Sequence, residues 1–272
     1  MATKRLKIIP LSLFVMSAHI SGLRAFLGTS FQIAKAEFKL KNEGSYLGIF
    51  WYLLSPLLTF IILFLVFSDR LGGGIPNYAG YLLIGVIIFN FFIRITKENA
   101  KVILVNALLI KSVNFPRESL IIANLFNAVV SHLIEIVLFS FILAFFFGTN
   151  ITGFLFYPLI LIPLVIFAIG ISFFLSAMTI YVNDLDNIWA FVTTLIWLGT
   201  PIFYEVGGQT KLLAVNLFNP LFYFITLARE VILYQRLPEL NFMVGAVIFS
   251  AVSFFVGYFI FSRLNRKIAE LI

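Results

Sequence analysis

Charge is almost missing from the long apolar runs of this chain, and that feature decides what the chain can fold into. Six runs stand out: from about Tyr46 to Phe67, Tyr81 to Ile95, Ser119 to Phe147, Phe154 to Val182, Ile188 to Tyr204 and Phe242 to Phe261. About 20 apolar residues in a helix cross about 30 Å of hydrocarbon, and a helix satisfies its backbone polar groups within one segment. Of 272 residues, 61% are hydrophobic and 11% charged, against about 25% charged in a soluble domain. A water-soluble globule would have too few charges to coat its surface. A soluble enzyme, a nucleic-acid-binding module and a disordered chain are excluded. The sequence predicts an all-α polytopic membrane protein with six transmembrane helices.

The net charge of +7 reads as basic loops kept on the cytoplasmic side. With the amino terminus inside, fifteen of the nineteen Lys and Arg fall inside and four outside. That split places both termini in the cytoplasm, joined by an even number of spans. Lys4, Arg5 and Lys7 precede a short run broken by Pro10 and His19, which does not read as a signal peptide.

Three connecting segments are long enough to hold structure. Residues 1–45 form a cytoplasmic amino-terminal segment. Within it Phe26, Phe31, Ala34 and Phe38 recur at near-helical spacing, while Lys35, Glu37, Lys39 and Lys41 supply charge. This predicts an amphipathic helix lying at the interface. A six-helix transmembrane domain covers 46–262, with a cytoplasmic loop at 96–118 and an outer segment at 205–241; a cytoplasmic tail covers 263–272. In the outer segment, two short apolar halves flank Asn219-Pro220. Neither half spans a bilayer, so a re-entrant hairpin between spans five and six is expected.

Residues for chemistry are sparse. The chain has no Cys and two His, no G-x-x-x-x-G-K-[ST], no H-E-x-x-H and no Asp-rich cluster. Neither a catalytic residue nor a metal site is expected. In span three, Asn124, Asn127, Ser131 and Glu135 share one helical arc beside His132. Two readings stand: a polar strip along a translocation path, or a seam hydrogen-bonded to a neighbouring helix. Trp51, Tyr52, Trp189, Trp197, Tyr204, Tyr223 and Phe224 fit either an aromatic belt at the headgroups or stacking on sugar rings. Gly199 and Pro201 predict a kink or hinge late in span five. Gly44 and Gly48 allow close backbone approach. Asp184 and Asp186 suit the start of span five as caps.

In order along the chain, these features resemble a family. Gly44-Ser45-Tyr46-Leu47-Gly48-Ile49-Phe50-Trp51 followed by Leu54-Ser55-Pro56-Leu57 looks like the lead-in to the first span of type-2 ABC exporter permeases, the membrane subunits that export cell-envelope polysaccharides such as O-antigen, capsule and teichoic acid. Asn106-Ala107-Leu108-Leu109-Ile110-Lys111 with Phe115-Pro116-Arg117 is similar to the family's "N-x-x-L-I-x-K-x-x-F-P" loop. Asn183-Asp184-Leu185 resembles "R-D-L", with Asn in place of Arg. Thr200-Pro201-Ile202-Phe203-Tyr204 resembles "S-P-I-x-Y", and Asn219-Pro220 with Arg229 resembles the outer "N-P…R" segment.

The resemblance implies a homodimer with two copies of a separate ATP-binding subunit, which would carry ATP and Mg; no cofactor is expected on this chain, and no nucleic acid. It implies a cargo linked to polyprenyl diphosphate and a multi-pass location in a bacterial inner or plasma membrane, among membrane lipids. Lys97, Glu98, Lys101, Asn106, Leu109 and Lys111 would couple to the ATPase. The amphipathic helix would be the interface helix. Asn124, Asn127, Glu135, Trp197 and Tyr204 would line the path, and Pro201, Asn219, Pro220 and Arg229 would form the hinge and outer hairpin. Rival readings are a type-2 permease for a drug or simple lipid, a membrane-embedded polyprenyl-phosphate transferase, and a secondary transporter driven through Glu135.

Overall fold

The structure is a computed structural model that describes residues 22–43, 50–148, 150–182 and 184–271. The Gly44–Gly48 motif and Asn183 lie outside the described residues. Among the described residues, eleven α-helices follow in order: α1 (Gly22–Asn42), α2 (Phe50–Leu71), α3 (Tyr78–Ala100), α4 (Val102–Val105), α5 (Ala107–Ser112), α6 (Glu118–Phe147), α7 (Tyr157–Met178), α8 (Leu185–Gly199), α9 (Thr210–Asn216), α10 (Pro220–Ala228) and α11 (Leu240–Leu271). Among the described residues, five helical stretches are long and apolar enough to cross a membrane, built on α2, α3, α6, α7 and α11. This is an all-α polytopic membrane protein.

The bundle is organised around α3. Of its apolar window 83% is buried, against 11% for α2 and 22% for the last helix. The outer helices therefore turn most of their surface to lipid, which suits apolar side chains as well as a core does. Helix α7 packs against both α3 and α11, and α1 lies along α6.

The tightest seam joins α7 to α11, and its residues are small. Gly170 backs directly onto Gly257, Ser253 Oγ donates to Phe167 O at 2.9 Å, and Ser250 Oγ donates to Pro163 O at 2.7 Å. Small residues let two backbones approach closely in lipid, where little else draws helices together.

Helix ends follow local chemistry. Asn77 caps α3 by accepting from Gly80 N, and Gly148 ends α6 in the left-handed conformation, at φ 63°. The expected span five is corrected here. Its helix begins earlier, at Leu185, and stops at Gly199 instead of running to Tyr204. Thr200 is extended, as the residue before a proline tends to be, so Pro201 terminates the helix rather than kinking it. At 15 residues α8 is about 22 Å long, short of a full crossing.

The chain bends sharply at Asn219-Pro220. Thr210–Asn216 and Pro220–Leu233 meet at 101°. Asn219 is the N-cap of α10, accepting from Leu221 N at 3.1 Å, and Pro220 fills the first helical turn. In α1, Ser30, Ile33 and Ala34 are buried, whereas Phe31 is 58% exposed. The helix thus packs a narrower face on α6 than the spacing of its Phe residues suggests, and leaves Leu27, Phe31 and Leu40 turned outward.

A methyl group at Gly257 would meet the Gly170 carbonyl carbon at 2.7 Å. Gly257→Ala should therefore destabilise the protein by about 1–3 kcal/mol through overpacking, read as a lower unfolding temperature in detergent. Gly28→Ala, with nothing within 4 Å, should leave it unchanged or slightly higher.

Candidate functional site

Three polar constellations fasten the helices, one at each end of the bundle and one between. The first surrounds Arg229, which is 4% exposed and opens a π-helical turn (Arg229–Leu233) after α10. Its Nε and Nη2 donate to Tyr81 O at 3.1 and 2.9 Å, Nη1 to Pro201 O at 2.7 Å, and Nη2 to Ile202 O at 2.9 Å. The guanidinium carbon lies 3.3 Å from the centroid of the Tyr81 ring. Gly85 makes this approach possible, because a Cβ there would sit 2.9 Å from Nη2. A buried cation needs its donors filled, and the planar guanidinium reaches three carbonyls at once where an ammonium could not.

The same knot collects carbonyls that the end of α8 leaves open. Tyr78 Oη donates to Phe203 O at 2.8 Å and Tyr81 Oη to Tyr204 O at 2.7 Å. Tyr204 Oη donates back to Gly199 O at 2.8 Å, and Asn219 Nδ2 to Thr200 Oγ1 at 2.7 Å. Pro201, Asn219, Pro220, Tyr204 and Arg229 are thus brought together with α3. Sequence reasoning named those five but not Tyr78, Tyr81 or Gly85, which sit in an apolar run with no polar spacing to mark them.

The second constellation is the span-three strip. Asn124 Nδ2 donates to Asn99 Oδ1 on α3 at 3.0 Å, and Asn127 Nδ2 to Ala34 O on α1 at 3.1 Å. Glu135 is fully buried and accepts from Arg94 Nη2 on α3, as an ion pair. His132 Nδ1 lies 3.5 Å from Glu135 Oε2, its Nε2 lies 2.6 Å from Tyr157 Oη, and its ring stacks on Phe91 at 4.2 Å. Asn124, Asn127 and Glu135 thus each bond to a neighbouring helix. The structure separates them from the other two residues expected on the path: Trp197, on α8, packs edge-on against Phe89 at 4.7 Å, and Tyr204 belongs to the Arg229 knot.

The third lies at the end of the bundle that gathers most of the basic residues. Lys97 and Glu98 belong to the last turns of α3, not to a loop. Lys41 of α1 pairs with Glu98 at 2.8 Å, and Lys101 pairs with Asp186 of α8 at 2.6 Å. Trp189 Nε1 donates to Thr96 Oγ1 at 3.1 Å. Arg117 donates to Asn265 Oδ1 at 2.7 Å, joining the start of α6 to α11. Asp184 occupies the N-cap of α8 but makes no capping hydrogen bond; its neighbour Asp186 supplies the negative charge in the first turn.

Between α3 and α6, the short helices α4 and α5 turn apolar side chains outward. Val105 is 77% and Leu108 84% exposed, close to exposed Lys101 and Lys111. Asn106 Nδ2 donates to Val102 O at 2.9 Å and so braces the joint between them. Leu109 packs inward against the core; its neighbour Leu108, which sequence reasoning did not single out, points away. Lys35 and Lys39 of α1 are exposed, and Phe38 and Glu37 half-buried. Burial, then the nearby Glu98 carboxylate, holds the Glu37 carboxyl above the usual range against the opposing pull of Lys41.

Arg229→Met leaves three carbonyls without their donor. It should cost about 3 kcal/mol or more, read as a lower unfolding temperature and faster proteolysis within 205–241; Arg229→Lys should recover only part of the loss. Glu37 makes stability depend on pH. A raised folded-state pKa means that the charged carboxyl weakens folding above that pKa, and that the penalty is relieved as pH falls through it. Stability should therefore rise on mild acidification from neutral pH, and Glu37→Gln should be more stable at neutral pH and should lose that part of the pH dependence.

Comparison with known proteins agrees with this architecture. The sequence profile described as "ABC-2 type transporter" matches residues 30–233. The "O-antigen export system permease protein RfbA" of Myxococcus xanthus is 24% identical over 265 residues, covering 92% of this chain and 97% of the relative. A protein of the same name from Klebsiella pneumoniae is 25% identical over 246 residues, covering 88% and 93%. Permeases of this kind pair with an ATP-binding subunit and form the multi-pass membrane component of a transporter. The chain belongs to the ABC-2 type transporter family.

Proposed function

We propose that this chain is the channel-forming subunit of an ATP-driven exporter for lipid-linked cell-envelope polysaccharide, with O-antigen as the first candidate cargo. The observation that carries the reading is the outward-facing segment α4–α5. Apolar Val105 and Leu108, exposed between Lys101 and Lys111, form a compact contact of the kind a protein partner covers. The polysaccharide assignment is supported by relatives named as O-antigen export permeases that match nearly end to end.

In this reading the basic end faces the cytoplasm, both termini lie there, and the Arg229 end faces outward. Two copies of the chain assemble with two ATP-binding subunits in a bacterial inner or plasma membrane. Helices α2 and α8 are held mainly by α3 and keep long apolar faces uncovered, Leu58, Ile62 and Leu65 on one and Ile188, Phe191, Leu195 and Leu198 on the other. Those faces offer the surface for the second copy, and the passage runs between protomers. ATP and Mg act on the partner subunit; this chain breaks no bond in the cargo. A polyprenyl-diphosphate-linked glycan moves outward as the closing ATPase displaces α4–α5.

The test is copurification and transport. Val105→Asp with Leu108→Asp should lower the bound ATP-binding subunit by about tenfold or more, the scale of a lost interface anchor. Substitutions at Asn106 and Lys111 should lower export per ATP hydrolysed while the chain stays folded. Normal ATPase binding together with unchanged export in these variants would refute the assignment, and transport by the purified chain without any ATPase would refute the whole reading.

A further inference from the structure

Movement of the short-helix segment leaves it through Lys101. This residue is at once the C-cap of α3 and the N-cap of α4, so a change in the direction of α4 reorients it directly. Its ammonium lies 2.6 Å from the Asp186 carboxylate in the first turn of α8. One turn further along α8, Trp189 donates to Thr96, itself one turn before the end of α3. The base of α8 is therefore held at two points, one of them at the joint where α3 becomes α4.

Other polar contacts at this end connect different helices. Lys41–Glu98 ties α1 to α3, and Arg117–Asn265 ties α6 to α11. Neither bridges the α3–α4 joint to another span. Helix α8 is also the span least committed to the bundle: within it only Thr193 is buried, and its main helix neighbour is α3. It is free to follow its anchors. An exposed ion pair adds little stability, and Lys101 is about half exposed, so the pair is better suited to fixing direction than to holding the fold.

We infer that Lys101 and Asp186 are the transmission residues of this chain, carrying displacement of α4–α5 into α8 through their ion pair, with Thr96–Trp189 as the pivot beside it. When the short helices are pushed, Lys101 draws the base of α8. The far end of α8 stays fixed by the carbonyls of Pro201 and Ile202 on Arg229, so α8 tilts instead of sliding. The inference rests on the coupling reading given above and adds the residues through which coupling leaves the docking segment.

The experiment is a charge-swap cycle in the complete complex with its ATP-binding subunit, reconstituted in vesicles. Three chains are compared with the original: Lys101→Glu, Asp186→Lys and the double exchange. Cargo exported per ATP hydrolysed and the amount of bound ATP-binding subunit are both measured. Each single variant should lower the ratio by about fivefold or more, with the partner bound at the original level. The double exchange, which restores the pair with its polarity reversed, should recover most of the loss. As a control, exchanging the exposed pair Arg236 and Glu230 at the other end should leave the ratio unchanged.

Single variants with an unaltered ratio overturn the inference, and so does a double exchange as poor as the singles. Loss of partner binding in Lys101→Glu that the double exchange does not repair also overturns it, because Lys101 is then a docking residue. If the original complex neither hydrolyses ATP nor exports cargo, the coupling reading fails first and this inference falls with it.

Discussion

A cation or carboxylate placed among hydrocarbon must find its partners within the protein, and the arrangement of this bundle follows from where those partners are. Helix α3 supplies nearly all of them. Its Tyr81 carbonyl accepts from Arg229, its Arg94 donates to Glu135, its Asn99 accepts from Asn124, and its Thr96 accepts from Trp189. The helices that carry the second member of each pair have their rotation fixed by that match. Apolar packing alone could not do this, since a Leu or Phe face is nearly as content against lipid as against another helix. The exposed rows along α2, α6 and α11 show how little of the surface is decided by hydrophobicity.

Glycines complete the same logic. Gly85 opens the flank of α3 so that a guanidinium can lie against the backbone, and Gly170 with Gly257 brings α11 onto α7. Polar pairs set direction and small residues set distance. Together they give a bundle with one deeply buried central helix and two lightly held flanks, a sound arrangement for a membrane component that must change shape without coming apart.

Much of this could be read before any coordinates. Long runs poor in charge gave the class, and Asn219-Pro220 gave the bend of the hairpin, because a cap followed by proline is a local signal. The strip from Asn124 to Glu135 was visible as a stripe, but which way it faced was not: its partners Ala34, Asn99 and Arg94 lie far away in sequence, and spacing along one helix carries no information about them. The end of α8 was misplaced for a related reason. An apolar run continues through Thr200 to Phe203, while the backbone obeys Pro201. Phe31 shares the helical spacing of Ala34 yet is exposed while Ala34 is buried, since a helix at an interface has lipid as a second apolar neighbour. Leu108 and Leu109 differ by one position and face opposite ways, which composition cannot distinguish.

The shortness of α8 has a consequence for the solvent around it. Its 15 residues cover about three quarters of an ordinary hydrocarbon thickness. Lipid that meets this edge before a second copy covers it has to draw its headgroups closer together, since compressing acyl chains costs only fractions of a kcal/mol per Å of mismatch. Water and phosphate groups then come nearer the midplane there than beside the longer helices α2, α3, α6, α7 and α11. The most loosely anchored span of the protein thus stands where the oily barrier is thinnest.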